Sequence, residues 1–318
     1  TFLSMTVAAL NRMNECASKP ERDIRRAGDM LPALLELEDR AEDRHFWFRG
    51  RLRVIGTLAA QLVAGLASGY RVMELGAGNG SVLRVLQAVC AGGHVAGMDI
   101  SVEGLRRARR RASCHLVCGD LRQSPFARPF DLIGLFDVLE HLPDDAGVLT
   151  AIHSMLEPGG ALLLTVPAGR SLWSYADEAA GHYRRYERAE LVARLRAAGF
   201  LVEYATRFMA PVHPLMWLGR RAAALRTRFL GSGRRGSGAS PEDNLRLAAA
   251  ELRVVPVLNG LLTAALFAEA KWIARRRTLP IGTSLIAIAR KPALQVRDAA
   301  PEGRGADLAA PTETGHVV

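Results

Sequence analysis

Three glycines and an acid stand at two-residue spacing in the segment Glu74-Leu75-Gly76-Ala77-Gly78-Asn79-Gly80. An apolar run from Val72 to Leu75 precedes the glycines, and a helical pattern begins at Ser81. Glycines at such a turn let the backbone fold tightly and approach a ligand without a Cβ in the way. A dinucleotide site would carry G-x-G-x-x-G and bind a pyrophosphate at the helix N-terminus. The observed spacing and its leading carboxylate instead favour a ligand that bears an ammonium or sulfonium group and lacks phosphates.

Two further acids follow the next apolar runs. Asp99 ends the second run, 25 residues after Glu74, and Gly119-Asp120-Leu121 ends the third. Ligands of open α/β sheets bind at the carboxyl ends of the strands, where a carboxylate after the second strand can hold both ribose hydroxyls. An acid after the third strand could accept from an adenine amino group. The three strand ends together match a ligand with an adenosine part and a cationic part.

Short apolar runs alternate with helical stretches around these motifs. The predicted strands are 72–75, 94–100, 115–118, 132–136, 161–166, 200–207 and 283–289, and the predicted helices are 81–90, 102–111, 144–156 and 187–198. Near-continuous apolar strands separated by helices indicate a parallel sheet covered on both faces. Ser101 and Asp144 are predicted N-caps of two helices. The sequence therefore predicts a doubly wound α/β domain.

The motifs resemble those of the class I S-adenosylmethionine (SAM)-dependent methyltransferases, in the small-molecule and lipid-precursor group (methyltransferase types 11 and 12). Residues 130–142 look like the strand-four motif of this family, and 156–160 look like the turn before strand five. The resemblance covers about residues 42–207 and the last strand. It implies a seven-stranded Rossmann-like sheet in the order 3-2-1-4-5-7-6, with strand seven antiparallel.

The resemblance also implies which residues hold SAM. Gly76, Gly78 and Gly80 would line its methionine portion, Glu74 its amino group, Asp99 the ribose, and Asp120 with the Leu121 amide the adenine. The predicted cofactor-binding residues are Glu74, Gly76, Ala77, Gly78, Gly80, Asp99, Ile100, Asp120, Leu121 and Phe136. No metal ligand set is predicted.

Methyl transfer from SAM mainly requires alignment, with a base where the acceptor is a hydroxyl or an ammonium group. The loop from His182 to Tyr186 resembles the H-x-R-R-Y/F segment that faces the acceptor pocket in this family. The predicted catalytic residues are His182, His141 and Tyr186, and the predicted acceptor-binding residues are Arg184, Arg185 and Trp47. Alternatives stay open: His141 could cap or pack, and the arginines could pair with Asp177 or Glu178 on the surface.

The aromatic patch from Glu42 to Arg49 resembles the N-terminal lid that closes over SAM in related enzymes. Aromatic faces attract a sulfonium through cation–π interactions, whereas core packing of Phe46 and Phe48 is the alternative.

Five regions are predicted along the chain. They are an N-terminal helical lid (1–50), a SAM-binding core (51–208), a helical insertion between strands six and seven (209–281), the last core strand (282–292) and a disordered tail (293–318). The best apolar window, Val254 to Ala268, has 15 residues, which is fewer than the roughly 20 that a bilayer requires. It is predicted to be a buried or interfacial helix that roofs the acceptor pocket, packs on the core or contacts a membrane face.

Composition leaves several functions open. The 318 residues carry a net charge of +10, which suits nucleic acid, an anionic membrane or an acidic substrate. An RNA methyltransferase is an alternative, disfavoured because the fourth strand ends Phe136-Asp137-Val138-Leu139 without the Asn/Asp-Pro-Pro-Tyr/Phe sequence of base-amine methylation. A non-catalytic scaffold with a SAM fold is another.

The preferred prediction is methylation of a small-molecule or lipid-linked acceptor, with O-methylation favoured. No basic-then-apolar leader opens the sequence, and none of the four cysteines forms a CxxC pair. A cytoplasmic location, with peripheral membrane contact as an extension, is expected. The sequence leaves the acceptor and the oligomeric state open.

Overall fold

The computed structural model describes residues 39–123, 126–219 and 252–293, and its seven strands form one sheet in the order β3-β2-β1-β4-β5-β7-β6. The strands are β1 (Arg71–Leu75), β2 (His94–Asp99), β3 (His115–Cys118), β4 (Phe130–Phe136), β5 (Leu156–Pro167), β6 (Leu201–Phe208) and β7 (Ser284–Arg290). Neighbours from β3 to β5 pair in parallel, while β7 is antiparallel to both β5 and β6. The predicted fold and strand order are confirmed.

The helices cover both faces of the sheet. They are α1 (Phe46–Val63), α2 (Ser81–Val89), α3 (Val102–Arg111), α4 (Asp145–Met155), α5 (Tyr175–Ala180), α6 (Arg188–Ala197) and α7 (Pro256–Ala274). Both predicted caps are confirmed, because Ser101 Oγ accepts from the Gly104 amide (3.0 Å) and Asp144 Oδ1 accepts from the Gly147 amide (2.9 Å). Helix α5 lies between the predicted strand 161–166 and the predicted helix 187–198, where no helix is predicted.

Alternate residues of each central strand enter two separate hydrophobic clusters. Val72 and Leu132 pack with α1, α2 and α7, whereas Met73 and Ile133 pack with α4 and α6. Strand β1 is the point at which the order reverses, since its neighbours are β2 on one side and β4 on the other. A crevice at the carboxyl ends of β1 and β4 follows from this topology.

The insertion between β6 and β7 contains α7, which packs on α1 through a buried stripe that includes Leu266 and Ile273. Asn259 accepts from the Phe46 amide (2.7 Å) and donates to the Arg44 carbonyl (3.0 Å). Glu269 accepts from the Met209 and Ala210 amides (2.6 and 2.8 Å). These contacts join α7 firmly to the protein.

Helix α7 is longer than its predicted window. With 19 residues it is, by length and composition alone, able to cross a bilayer, although a third of its apolar window is buried in the protein. The predicted boundary at residue 50 falls inside α1, so the N-terminal region and the core share a continuous helix. Most of the predicted lid, the Gly/Ser-rich stretch at 231–238 and almost all of the tail lie outside the described residues.

Candidate functional site

The turn after β1, called here the glycine loop (Gly76–Gly80), has left-handed backbone at all three glycines, with φ of +74°, +50° and +82°. A Cβ on Gly80 would lie 2.7 Å from Ala108 Cα, and one on Gly76 would lie 2.3 Å from Val138 Cγ2. A Cβ on Gly78 would meet nothing within 4 Å. Gly80 therefore lets α3 approach, Gly76 admits the segment after β4, and Gly78 presents its backbone to open space.

Glu74 lies beneath this loop as a buried carboxylate, with 2% of its surface exposed. Its Oε2 has no hydrogen-bond partner in the part of the chain that the structure describes. Burial raises the pKa of Glu74 well above its usual range, Arg51 opposes that rise, and Asp99 and Glu42 add to it. A buried carboxylate with an uncommitted oxygen fits the ammonium group of an amino-acid ligand.

The ends of β1 and β2 meet as predicted. Asp99 Oδ2 accepts from the Gly78 amide and Oδ1 accepts from the Ser101 amide, both at 2.7 Å. The amides of Gly76 and Ala77 both donate to the Met98 carbonyl (2.8 and 3.0 Å). Asp99 thereby fixes the glycine loop against β2.

The residues beside Asp99 differ in how they are presented. Ile100 is 37% exposed, whereas Leu121 is partly buried. Asp120 forms an ion pair with Arg122 (2.5 Å), a contact that the sequence did not predict. Phe136 is buried in the core against Gly134, and its contact with the cofactor stays a prediction.

Helix α1 supplies a buried cation, Arg51, to the end of β4. Its Nε lies 2.5 Å from Asp137 Oδ2, and its Nη2 donates to the Phe136 carbonyl (3.2 Å). The Arg51 charge opposes the pKa rises of both Glu74 and Glu140. Arg51 and Asp137, which sequence reasoning missed, thus link the cofactor side of the crevice to the segment after β4. Asp137 also has φ of +54°, unusual for a residue with a Cβ.

Glu140, His141 and His182, called here the acid–base cluster, lie next to one another. The His182 Nε2 is 3.8 Å from Glu140 Oε1, and the two imidazole rings are 4.7 Å apart, edge to face. Glu140 is fully buried and, among the described residues, neither of its oxygens has a hydrogen-bond partner. Burial raises its pKa well above the usual range, Asp137 adds to the rise, and Arg51 and Arg185 oppose it.

The structure brings both predicted histidines together with Glu140, which lies within the strand-four motif but is not among the predicted site residues. Donor atoms of the three side chains lie within 4.8 Å of one another. Side chains that exchange a proton and side chains that bind a metal ion both lie this close together. The sequence predicts no metal ligands here.

Internal contacts occupy three other predicted residues. Tyr186 is fully buried, and its hydroxyl donates to Asp145 Oδ2 (2.9 Å). Arg184 Nη1 pairs with the same oxygen (3.0 Å). Arg185 is buried and donates to Asp177 Oδ1 (2.7 Å), the pairing considered as the alternative, although it is not on the surface. These contacts hold Tyr186 and both arginines within the protein, and their predicted catalytic and acceptor-binding roles stay predictions.

Glu42, which precedes α1, forms hydrogen bonds with residues of the glycine loop and the start of α2. Glu42 Oε1 accepts from Ser81 Oγ (3.0 Å), and its Oε2 accepts from Asn79 Nδ2 (2.8 Å) and from Arg111. Trp47 packs edge-on against Phe48 at 5.0 Å, and the Arg51 guanidinium lies 5.9 Å from a Trp47 ring. Trp47 therefore contacts the same cation that pairs with Asp137.

Comparisons with known proteins show the family and the fold of this chain. The family model described as "Methyltransferase domain" matches residues 26–205. The ubiquinone biosynthesis O-methyltransferase of Xylella fastidiosa (strain 9a5c) is 30% identical over 156 residues, which cover 43% of this chain and 63% of that protein. The protein of the same name from Aromatoleum aromaticum is 32% identical over 109 residues, which cover 32% of this chain and 45% of that protein. The chain thus spans less than two thirds of the length of these relatives.

Among solved structures, the plantazolicin methyltransferase BamL, in complex with a triazolic desmethylPZN analog and SAH, superposes with a TM-score of 0.50 and 13% identity. The superposition covers 89% of this chain and 96% of BamL, a likeness of fold alone. Because the family match spans more than half of the chain, this protein belongs to the methyltransferase-domain family, within the class I SAM-dependent methyltransferases.

Proposed function

We propose that this protein transfers the methyl group of SAM to a hydroxyl group of a small-molecule or lipid-like acceptor. The observation that carries the proposal is the buried Glu74 carboxylate, with its uncommitted oxygen, beneath a glycine loop that Asp99 holds in place. An unpaired buried carboxylate is costly for a folded protein unless a ligand cation uses it.

One side of the crevice would bind SAM, and the other side would receive the proton of the acceptor. Glu74 and the Gly78 backbone would hold the amino-acid part of SAM, and Asp99 the ribose. SAM supplies a methyl group on a sulfonium, so the acceptor needs only alignment and a place for its proton. The acid–base cluster supplies that place at His182 Nε2, beside the segment that packs on Gly76.

Oxygen as the acceptor atom is supported by the relatives that are named as O-methyltransferases of ubiquinone biosynthesis. It is also supported by chemistry, because a hydroxyl group loses a proton on methylation and a histidine can take it.

A lipid-like acceptor is supported by exposed apolar side chains on two segments of the insertion. They are Leu215, Trp217 and Leu218 after β6, and Val257, Leu258 and Leu261 in the first turns of α7. Apolar side chains on the surface of a basic protein suit an anionic membrane face. A cytoplasmic protein in peripheral contact with the membrane is therefore part of the proposal.

Flotation with anionic phosphatidylglycerol vesicles tests this contact. The double variant Leu258→Ser and Leu261→Ser should lose most of its flotation and keep its melting temperature, since both side chains are exposed. The variant Arg106→Gln, which removes one exposed charge on α3, is the control and should float like the wild type. Equal flotation of the double variant and the wild type would contradict the membrane contact.

Transfer of labelled methyl from SAM to a panel of catechol, simple amines, carboxylic acids and folded RNA tests the reaction. Label on the hydroxylated compound is expected. Label on RNA alone would instead support the RNA alternative. Tight binding of SAM with no labelled product from any pool would support a non-catalytic scaffold.

A further inference from the structure

Asp177, on the short helix α5, contacts both His182 and Arg185. The carboxylate is inaccessible to solvent. Its Oδ2 accepts from the Ser174 amide (2.8 Å) in a capping box that closes the first turn of α5. Its Oδ1 accepts from Arg185 Nε (2.7 Å) and lies 2.9 Å from His182 Nδ1. Asp177 therefore contacts His182 on the side of the ring opposite Glu140.

The surrounding backbone holds His182 in this position. The His182 amide donates to the Asp177 carbonyl (2.9 Å), directly after Gly181 ends α5 in a left-handed conformation. The next amide, of Tyr183, donates to the Glu140 carbonyl (2.8 Å). Short contacts thus attach the loop both to α5 and to the segment after β4.

The contacts also determine which ring nitrogen carries the proton. Burial opposes ionisation of Asp177, but the hydrogen bonds and charges of His182 and Arg185 outweigh it and lower the pKa of Asp177. An ionised carboxylate can only accept hydrogen bonds, so the 2.9 Å contact requires a proton on Nδ1. A neutral imidazole then has its lone pair on Nε2, which faces Glu140.

We infer that Asp177 is a positioning residue, which holds His182 as the Nδ1–H tautomer so that Nε2 can take the acceptor's proton. The inference rests on the proposed function. The acceptor oxygen gains the methyl group as the bond from that carbon to the sulfonium sulfur of SAM breaks and S-adenosylhomocysteine leaves. In the same step the acceptor's O–H bond breaks and the proton forms a bond with Nε2. The imidazolium that results keeps its Nδ1–H bond to Asp177, whose negative charge stabilises it. Arg185 and the Ser174 amide keep the carboxylate in place.

Nitrogen NMR of the wild type with labelled histidine tests the tautomer without any turnover. The His182 signal, identified by its loss in His182→Gln, should show a protonated Nδ1 at a pH at which the ring is neutral. A protonated Nε2 with a bare Nδ1 would overturn the inference. The tautomer is read whether or not the protein binds SAM, so failure here is distinct from failure of the proposed function.

Kinetics with SAM and catechol test the consequence. Asp177→Asn should lower kcat about 100-fold, within the range for general-base catalysis, and leave the KM for catechol and the affinity for S-adenosylhomocysteine within about threefold. Adding Asp177→Asn to His182→Gln should cost nothing further, because Asp177 acts through His182. The control is Glu178→Gln, a change at the exposed residue next to Asp177, and it should behave like the wild type.

Unchanged kcat in a folded Asp177→Asn, or a further large loss in the double variant, would contradict the positioning role. If Asp177→Asn does not fold, the wild-type tautomer alone decides the question.

Discussion

Replacing Glu74 by Gln should make the ligand-free protein more stable and its cofactor binding weaker. The carboxylate is buried, and its Oε2 has no hydrogen-bond partner in the described part of the chain. The amide keeps the shape of the side chain and removes the charge. A residue that only packs in the core would not show these opposite effects.

The two magnitudes follow from burial and charge. An unsatisfied buried polar group costs about 1–3 kcal/mol, and Gln should recover part of that cost. Each kcal/mol corresponds to roughly 2–4 °C in melting temperature for a domain of this size class. Losing a charge-assisted hydrogen bond of about 1.5–3 kcal/mol to the ligand ammonium should weaken binding about tenfold to a hundredfold.

The gain in stability should depend on pH. The pKa of Glu74 is raised in the folded protein, so the native state favours the protonated carboxyl. The stability that the protonated Glu74 carboxyl contributes is fully present below the ordinary pKa of about 4.5. That stability is lost as the pH rises through the raised pKa of the folded protein. Glu74→Gln should therefore match the wild type near pH 4 and exceed it at pH 8.

Thermal melts at both pH values and calorimetric titration with S-adenosylhomocysteine measure the two effects. Glu157→Gln, a partly exposed change at the start of β5, is the matched control and should alter neither quantity. A Glu74→Gln variant that melts below the wild type at pH 8, or binds S-adenosylhomocysteine equally well, would refute the reasoning.

Two further substitutions test individual contacts. Gly80→Ala should lose about 1–3 kcal/mol of unfolding free energy, because its Cβ would lie 2.7 Å from Ala108 Cα and its φ is +82°. In Gly78→Ala the new Cβ has no atom within 4 Å, so this variant should melt closer to the wild type but bind S-adenosylhomocysteine more weakly. If Gly78→Ala melted lower than Gly80→Ala and bound S-adenosylhomocysteine as tightly as the wild type, the roles given to the two glycines would be contradicted. Tyr186→Phe should lose about 1 kcal/mol of stability, for its hydrogen bond to Asp145, and keep kcat. A large fall in kcat with an unchanged melting temperature would support its predicted catalytic role.

Most of the fold could be predicted because its signals are local. Apolar runs and the caps at Ser101 and Asp144 placed the helices and strands of the core within a few residues. The largest difference is β5, which begins at Leu156 rather than at the predicted Ala161, because Leu156 pairs with Phe130 across an irregularity in the register. The strand order came from the family resemblance, since periodicity indicates the buried face of a strand and not its neighbour.

The cofactor side of the site was predictable for a similar reason. Adjacent parallel strands end at the same edge of the sheet, so Asp99 had to lie near the glycine loop. Residues on the acceptor side depend on partners that are distant in sequence. Tyr186 meets Asp145 across 41 positions, and no pattern around Tyr186 indicates that pairing. Arg51 and Asp137 are joined only by the packing of α1 on the sheet.

Burial explains why Glu140 was missed. An acid before His141 resembles a solvated capping residue in sequence, and only the packed structure shows that its carboxylate is enclosed. A useful signal was its spacing, since Asp137 and Glu140 are three positions apart directly after a strand. Asp137 pairs with Arg51, and the Arg51 charge opposes the rise in the pKa of Glu140.

Calorimetric titration of S-adenosylhomocysteine into the wild type and Asp99→Ala tests the cofactor site most directly. We expect one saturable site per chain in the wild type. We expect its loss in Asp99→Ala, because that variant frees the Gly78 and Ser101 amides from the carboxylate that holds them. Absence of heat in the wild type, or equal binding by a folded Asp99→Ala, would contradict a SAM site at the ends of these strands.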